Sequence, residues 1–150
     1  MTLNVYLSGE IHTDWRDQII TGTEDLDVTF SSPVTDHEAS DACGTSILGA
    51  EPDTYWQDHK GAMVNAIRTR TAIKAADIVV VRFGQKYKQW NAAFDAGYAS
   101  ALGKSIIILS PPEHQHALKE VHAAALAVAE TPDQVVNILR YVDGGTLSTR

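Results

Sequence analysis

The sequence predicts a three-layer α/β domain, a doubly wound parallel sheet of five strands in the flavodoxin-like (Rossmann-like) order 2-1-3-4-5. Three observations predict it. The runs DIVVV at 77–81 and SIIIL at 105–109 are continuous and β-branched, the pattern of strands buried on both faces. Strand-like and helix-like segments alternate along the chain, five strands each followed by helix, which argues a parallel sheet covered on both sides. Right-handed crossovers then select the strand order. Finally, 150 residues with 44% apolar content suit one domain, residues 1–150, with its own core.

Taken in order, Leu3 to Leu7 (LNVYL) reads as a buried first strand, and Ser8-Gly9 punctuates its end. Asp14 stands to cap a helix from Trp15 to Asp25, with Trp15, Ile19 and Ile20 as its apolar stripe and Gly22 as its weak point. Asp27 to Ser31 is a short second strand, stopped by Pro33. Asp36 to Asp53, with Gly44, Gly49 and Pro52, reads as a long polar loop of the kind that covers a site. Asp53 or Thr54 then starts a long helix in which Trp56, Met63, Val64, Ile67, Thr71 and Ala75 follow helical spacing. The third strand is 77–81. A polar turn from Phe83 to Gln89 leads into an Ala-rich helix, Trp90 to Leu102, ending at Gly103. The fourth strand, 105–109, is closed by Ser110-Pro111-Pro112. Glu113 to His122 suggests a short helix, and Ala125 to Ala129 a last strand. Thr131 caps a final helix with the stripe Val135, Val136, Leu139 and Val142.

Charge narrows the function. Lys and Arg total 12 against 19 Asp and Glu, a formal charge of -7, and a nucleic-acid backbone wants a basic surface instead. A small phosphorylated ligand stays open, because one Arg and a few N–H groups can hold a phosphate. The single cysteine, Cys43, forms no internal disulfide and points to the cytosol. No secretory leader and no membrane-length apolar run are read from the sequence.

In doubly wound sheets, ligands bind outside the carboxyl ends of the strands near the switch point. The loops after Leu7, Val81 and Leu109 therefore converge. They bring Ser8, Gly9, Glu10 and His12 together with Arg82, Gly84, Trp90, Asn91 and Ser110. Asp95 lies about one turn, roughly 5–6 Å, into the following helix. It reads as a helix-surface charge or as a nucleophile, held firmly by the small residues Ala92, Ala93, Ala96, Gly97 and Ala99. Glu10 is a general acid, a sugar-hydroxyl acceptor or a solvated turn carboxylate. His12 protonates a leaving base, binds phosphate, or is a surface histidine. Arg16 and Arg82 pair with an anionic ligand or neutralise nearby acids. Tyr98 is a helix–sheet contact whose hydroxyl can reach the site. Asp77, at the opposite end of its strand, is structural. Asp36, His37, Glu38, Asp41 and Cys43 resemble metal ligands but lack standard zinc spacing. A substrate-covering lid is the preferred reading of that segment, and neither metal nor cofactor is expected.

The stretch ADIVVV…NAAFDAGYASALGKSIIIL resembles the core of nucleoside 2-deoxyribosyltransferases. There an Ala-Asp strand opening precedes a Gly-Thr-x-x-Glu-x-Gly-Tyr-Ala helix and an Ala-x-Gly-Lys-x-Ile strand. More narrowly, NVYLSGEIHTDWR, SPVTDHEASD and WNAAFDAGYA resemble the YtoQ family over nearly the whole length. The resemblance implies a carboxylate that attacks the anomeric carbon of a nucleoside, releases the base, and passes the sugar to another base or to water. It maps that carboxylate onto Asp95, and in the enzyme reading Glu10 and His12, from the first loop, assist it. It also implies a homo-oligomer with sites completed across subunits, for which Tyr55, Trp56, Tyr87 and Trp90 offer contacts. Two departures stand out. The nucleophile is Asp instead of Glu, and Asn91-Ala92 replaces the Gly-Thr pair, with Trp90 just upstream. Two expectations follow: an enzyme acting on the N-glycosidic bond of a nucleoside or nucleotide, or a module that binds such a ligand, or a nucleotide-sugar, without turnover.

Overall fold

The protein is described by a computed structural model covering residues 2–145. The domain expected over 1–150 therefore includes Met1 and 146–150, which lie outside the described residues. In chain order the elements are β1 (Leu3–Gly9), α1 (Trp15–Gly22), β2 (Val28–Ser31), α2 (His37–Leu48), α3 (Thr54–Ala75) and β3 (Ile78–Arg82). Then come α4 (Trp90–Ala101), β4 (Ser105–Leu109), a 3-10 turn (Pro112–His114), α5 (Lys119–Ala124), β5 (Ala127–Ala129) and α6 (Pro132–Gly144). All five strands are parallel and stand in the order β2-β1-β3-β4-β5, as expected.

Strand alternation divides the core in two. Val5, Leu7, Ile78, Val80, Ile107 and Leu109 face α1 and α6, where Trp15, Ile19, Val135, Val136 and Leu139 cover them. Tyr6, Val79, Val81, Ile106 and Ile108 face the opposite side, under Ile73, Ala92, Ala96 and Ala99. Ile19 and Leu139 are fully buried, and each such side chain contributes about 1.5–3 kcal/mol of transfer free energy. The carboxyl ends of the central strands finish level, with Gly9 beside Arg82 and Arg82 beside Leu109.

Several elements differ from expectation. The polar segment read as a loop holds α2, capped by Asp36, whose carboxylate accepts from the Ala39 N–H at 3.0 Å. Its packing partner is α3, and the contact is backbone against backbone. A Cβ on Gly44 would lie 2.2 Å from the Gly61 nitrogen. A helix joined to its neighbour through glycines needs no apolar stripe, so the hydrophobic pattern was silent. Within it, His37 and Asp41 pair at 3.3 Å. No group of three or more His, Cys, Asp or Glu is placed to hold a metal ion among the described residues.

The stripe predicted for α3 is the outer face. Trp56, Met63 and Ile67 are exposed, while Gly61 and Ile73 are buried. α1 stops at Gly22, and the region 113–122 splits into the 3-10 turn and α5. Asp14 sits at the α1 N-cap without capping, its carboxylate accepting from Gln18 Nε2 at 2.8 Å instead. Thr131 does cap α6, in a reciprocal box with Gln134. No helix among the described residues is long and apolar enough to cross a membrane.

Candidate active site

Period-2 alternation turns Tyr6 and Ser8 of β1 toward α4. α4 lies close over them because Ala92, Ala96 and Ala99 form its buried face. This puts Asp95 above the end of β1. Buried Ser8 donates its hydroxyl to Asp95 Oδ2 at 2.6 Å. That is the length of a charge-assisted O–H···O⁻ bond. Oδ1 makes no hydrogen bond among the described residues. Burial raises the Asp95 carboxyl above its ordinary range, and the Ser8 bond opposes that rise. One oxygen is anchored and the other is open, as a carboxylate nucleophile requires.

Tyr6 lies beneath and is 1% exposed. Its hydroxyl meets Thr69 outside hydrogen-bonding geometry and has no other partner. Burial pushes the phenol up to about 12, Thr69 opposes, and the charge of Asp95 adds to the rise.

The β1–α1 loop is tied to itself. Arg16 donates from Nε to the Leu7 carbonyl at 3.1 Å, from Nη1 to that of Glu10 at 2.5 Å, and from Nη2 to that of Gly9 at 3.1 Å. Its guanidinium carbon stands 4.4 Å from the Trp15 ring centroid. Burial brings this guanidinium down to about 10, with Tyr6 and Glu10 opposing. Arg16, expected to pair with an anionic ligand or to neutralise nearby acids, directs these three nitrogens to main-chain carbonyls.

Glu10 is treated similarly. Oε1 accepts from the N–H groups of His12 and Thr13, the latter at 2.7 Å, and Oε2 accepts from the Thr13 hydroxyl at 2.5 Å. Burial favours its neutral form, but these bonds and the charge of Arg82 outweigh burial and hold it below its usual range. An anchored anion does not fit a general acid. Gly9 completes the corner with φ of +111°, and a Cβ there would stand 2.1 Å from the Arg82 carbonyl oxygen.

Across the switch point, Arg82 has a buried Nε with no hydrogen-bond partner. Gly84 donates its N–H to Gln89 Oε1 at 3.1 Å and packs on the Glu10 stem. Tyr87 adopts φ of +63°, an uncommon conformation for a bulky residue. Its ring centroid lies 4.7 Å from that of exposed His12, so the two loops touch across the mouth. Trp90 is 76% exposed, Asn91 is exposed, and Lys88 Nζ lies 5.9 Å from the Trp90 ring centroid. Tyr98 is half-buried, with Arg70 5.9 Å from its ring. Buried Ser110 holds its hydroxyl 3.1 Å from His122 Nε2, and burial keeps His122 below its usual range, toward the neutral form. A hollow of about 540 Å³ opens there, lined by Glu113, His116, Lys119 and His122 but by none of Ser8, Tyr6 and Asp95.

The structure thus joins Ser8 to Asp95, Gly9 to Arg82, and Glu10 to Gly84. It gives Asp95 no hydrogen bond to Glu10 or His12. Sequence reasoning overlooked Tyr6, Thr13 and His122. Alternation along β1 already placed Tyr6 on the face of Ser8. Nothing in the sequence marked Thr13 or His122.

A carboxylate with one free oxygen, at the switch point of a doubly wound sheet, defines an α/β domain suited to small-molecule chemistry at its strand ends. Residues 6–143 match the family described as Nucleoside 2-deoxyribosyltransferase YtoQ, and the chain belongs to that family. It is 42% identical over 144 residues to the uncharacterized protein YtoQ of Bacillus subtilis (strain 168), covering 95% of this chain and 97% of that one. Similar solved structures share the fold. A 2-deoxyribosyltransferase from Bacillus psychrosaccharolyticus superposes with a TM-score of 0.58 at 20% identity, covering 89% of this chain and 90% of that chain. The CMP N-glycosidase BcmB of Clostridium botulinum gives 0.52 at 16% identity, covering 91% and 97%. A conserved protein from Enterococcus faecalis V583 gives 0.61 at 13% identity, covering 91% and 96%.

Proposed function

We propose that the chain cleaves the N-glycosidic bond of a nucleoside or nucleotide, or transfers its deoxyribosyl group, with Asp95 as the nucleophile. The observation that carries this reading is the 2.6 Å bond from buried Ser8, which fixes one oxygen of Asp95 and leaves the other free. Asp95 Oδ1 attacks the anomeric carbon, the carbon–nitrogen bond breaks, and its electron pair leaves with the base. Water or a second base then attacks the same carbon and releases the carboxylate, so one hard displacement becomes two. His12, exposed at the mouth, delivers a proton to the departing base. Glu10 and Arg16 act by positioning the β1–α1 loop. The main chain at Gly9 and Gly84, together with Arg82, Trp90, Asn91, Tyr98 and Ser110, surrounds the ligand. Family membership supports the reaction class.

The exposed aromatic residues Tyr55, Trp56, Tyr87 and Trp90 support a homo-oligomer in this reading. The single cysteine suits the cytosol. Light scattering that returns a monomer would remove the shared-site element.

The test is chromatographic analysis of base release from a nucleoside and nucleotide panel, with wild type and Asp95→Ala compared and folding checked by circular dichroism. Release by wild type alone, with a sugar adduct on the Asp95 peptide, is the expected result. Full activity in Asp95→Ala refutes the covalent route. Ligand binding by wild type without product over hours assigns a non-catalytic binding module instead.

A further inference from the structure

We infer that Arg82 reads an anionic group on the ligand of this crevice, the 5′-phosphate of a nucleoside monophosphate, so that nucleotides and not free nucleosides are its proper substrates. The inference rests on the function proposed above for the same crevice and names its substrate class.

Arg82 is the last residue of β3, at the switch point. Its Nε is buried without a partner, and its guanidinium makes no hydrogen bond or ion pair among the described residues. The residue is half-buried, so the outer part of its guanidinium meets solvent, while the Nε has given up its hydration with no hydrogen bond in return. The carboxylate that interacts electrostatically with Arg82 is Glu10, and both its oxygens are already held by His12 and Thr13. Contrast Arg16, whose three nitrogens each donate to a carbonyl six to nine residues earlier. One arginine of the site is built into the fold, and the other is left open.

Local charge points the same way. The chain carries a formal charge of -7, yet the segment 82–94 holds Arg82, Lys86 and Lys88 and no carboxylate. Placement completes the argument. Arg82 pairs in register with Gly9, one residue beyond Ser8. Strand spacing and rise set its main chain about 6 Å from that of Ser8. Ile78 and Val80 pack toward α1, so Arg82 leaves the sheet on that side, while Asp95 lies on the α4 side. A ribose over the strand ends, with its anomeric carbon toward Asp95, carries its 5′ carbon on the other side of the ring. A phosphate there meets the planar fork of a guanidinium, which binds it bidentately. A free 5′-hydroxyl leaves the charge unmatched.

The experiment is titration calorimetry on the full chain with 2′-deoxynucleosides, their 5′-monophosphates, 5′-carboxylate analogues and inorganic phosphate. The expected result is a monophosphate bound about 10- to 100-fold more tightly than its nucleoside, the range of a charge-assisted hydrogen bond. Arg82→Gln brings the monophosphate to the nucleoside level, and Arg82→Lys recovers part of the gain. Should Arg82→Gln not fold, the wild-type comparison and Arg82→Lys decide. Equal affinities in wild type, a preference that survives Arg82→Gln, a carboxylate bound more tightly than phosphate, or no binding across the panel would overturn the inference. Each titration is run on wild type and again on the Asp95→Ala background, where binding is read without turnover, so the two readings fail separately. Phosphate preference without base release removes the Asp95 chemistry and keeps Arg82. Base release without phosphate preference does the reverse.

Discussion

Substituting Ser8→Ala isolates the contact on which the proposed chemistry depends. The hydroxyl donates to Asp95 Oδ2 at 2.6 Å from a position with no solvent exposure, so no water replaces it readily. A hydrogen bond to a charged group contributes about 1.5–3 kcal/mol. Most of it acts on the anion, the stronger acceptor of the two forms, so losing the bond shifts the carboxyl toward its neutral acid. Its removal leaves burial, the larger influence, unopposed. At about 1.36 kcal/mol per unit, the Asp95 pKa should rise by about one to two units. The assay is a carboxyl carbon NMR titration of aspartate-labelled protein, with Asp95→Asn assigning the resonance and Ser8→Thr restoring the hydroxyl. In turnover, the acid limb of kcat/KM should move upward by the same interval, since base release needs the anion. A Ser8→Ala protein whose Asp95 titrates at or below the wild-type midpoint would refute the reasoning.

Other expectations follow from the same geometry. Asp95→Asn should abolish base release and raise the Tm at neutral pH. A carboxyl whose folded pKa is raised contributes its stability below the unfolded value, near 3.9, and loses it as pH rises through the folded value. The gain from Asn should therefore vanish in melts run in acid, and a gain that persists there would contradict the sign. Gly9→Ala should destabilise by at least about 2 kcal/mol in urea unfolding, because a positive φ is combined with a 2.1 Å approach to the Arg82 carbonyl. Tyr6→Phe removes a buried, unpartnered hydroxyl, so chemical denaturation should show stability unchanged or increased by about 1 kcal/mol; a clear loss would mean that the hydroxyl is bonded. Thr131→Ala should cost about 1 kcal/mol through the α6 capping box, read as a shift in the urea midpoint.

The fold was legible wherever burial left a period. β3 and β4 are apolar without interruption because both faces are covered, and those runs fixed the sheet. α6 was legible for the same reason, with its stripe and its Thr131 box. α2 was not, since its contact with α3 runs through Gly44 and Gly61 and leaves no hydrophobic signature. The exposed stripe of α3 shows the converse: periodicity reports that a face is apolar, without saying what covers it. At the site, topology placed Ser8 and Asp95 at one strand end, but residue type could not distribute their roles. Glu10 and Arg16 looked as reactive as Asp95 and Arg82. The difference lies in hydrogen bonds between neighbours in space, which a linear spacing does not encode.

That difference also bears on the shorter carboxylate. An aspartate reaches one methylene less far than the glutamate the resemblance implies, and displacements of about 1 Å cost on the order of 10²-fold in rate. Here Ser8 holds that shorter side chain directly, at 2.6 Å. Alanines 92, 96 and 99 bring α4 down onto the sheet, and Ser8 rises from β1 to meet Asp95 directly. The corner beneath is fixed by Arg16 on three carbonyls, by Glu10 on the Thr13 turn, and by Gly9 against Arg82. With those donors and acceptors already paired, Asp95 Oδ1 and the Arg82 guanidinium remain open on opposite sides of the strand ends. A neutral ligand would answer neither charge. One whose reacting carbon is electrophilic and whose far end is anionic answers both, and a nucleoside monophosphate has that distribution.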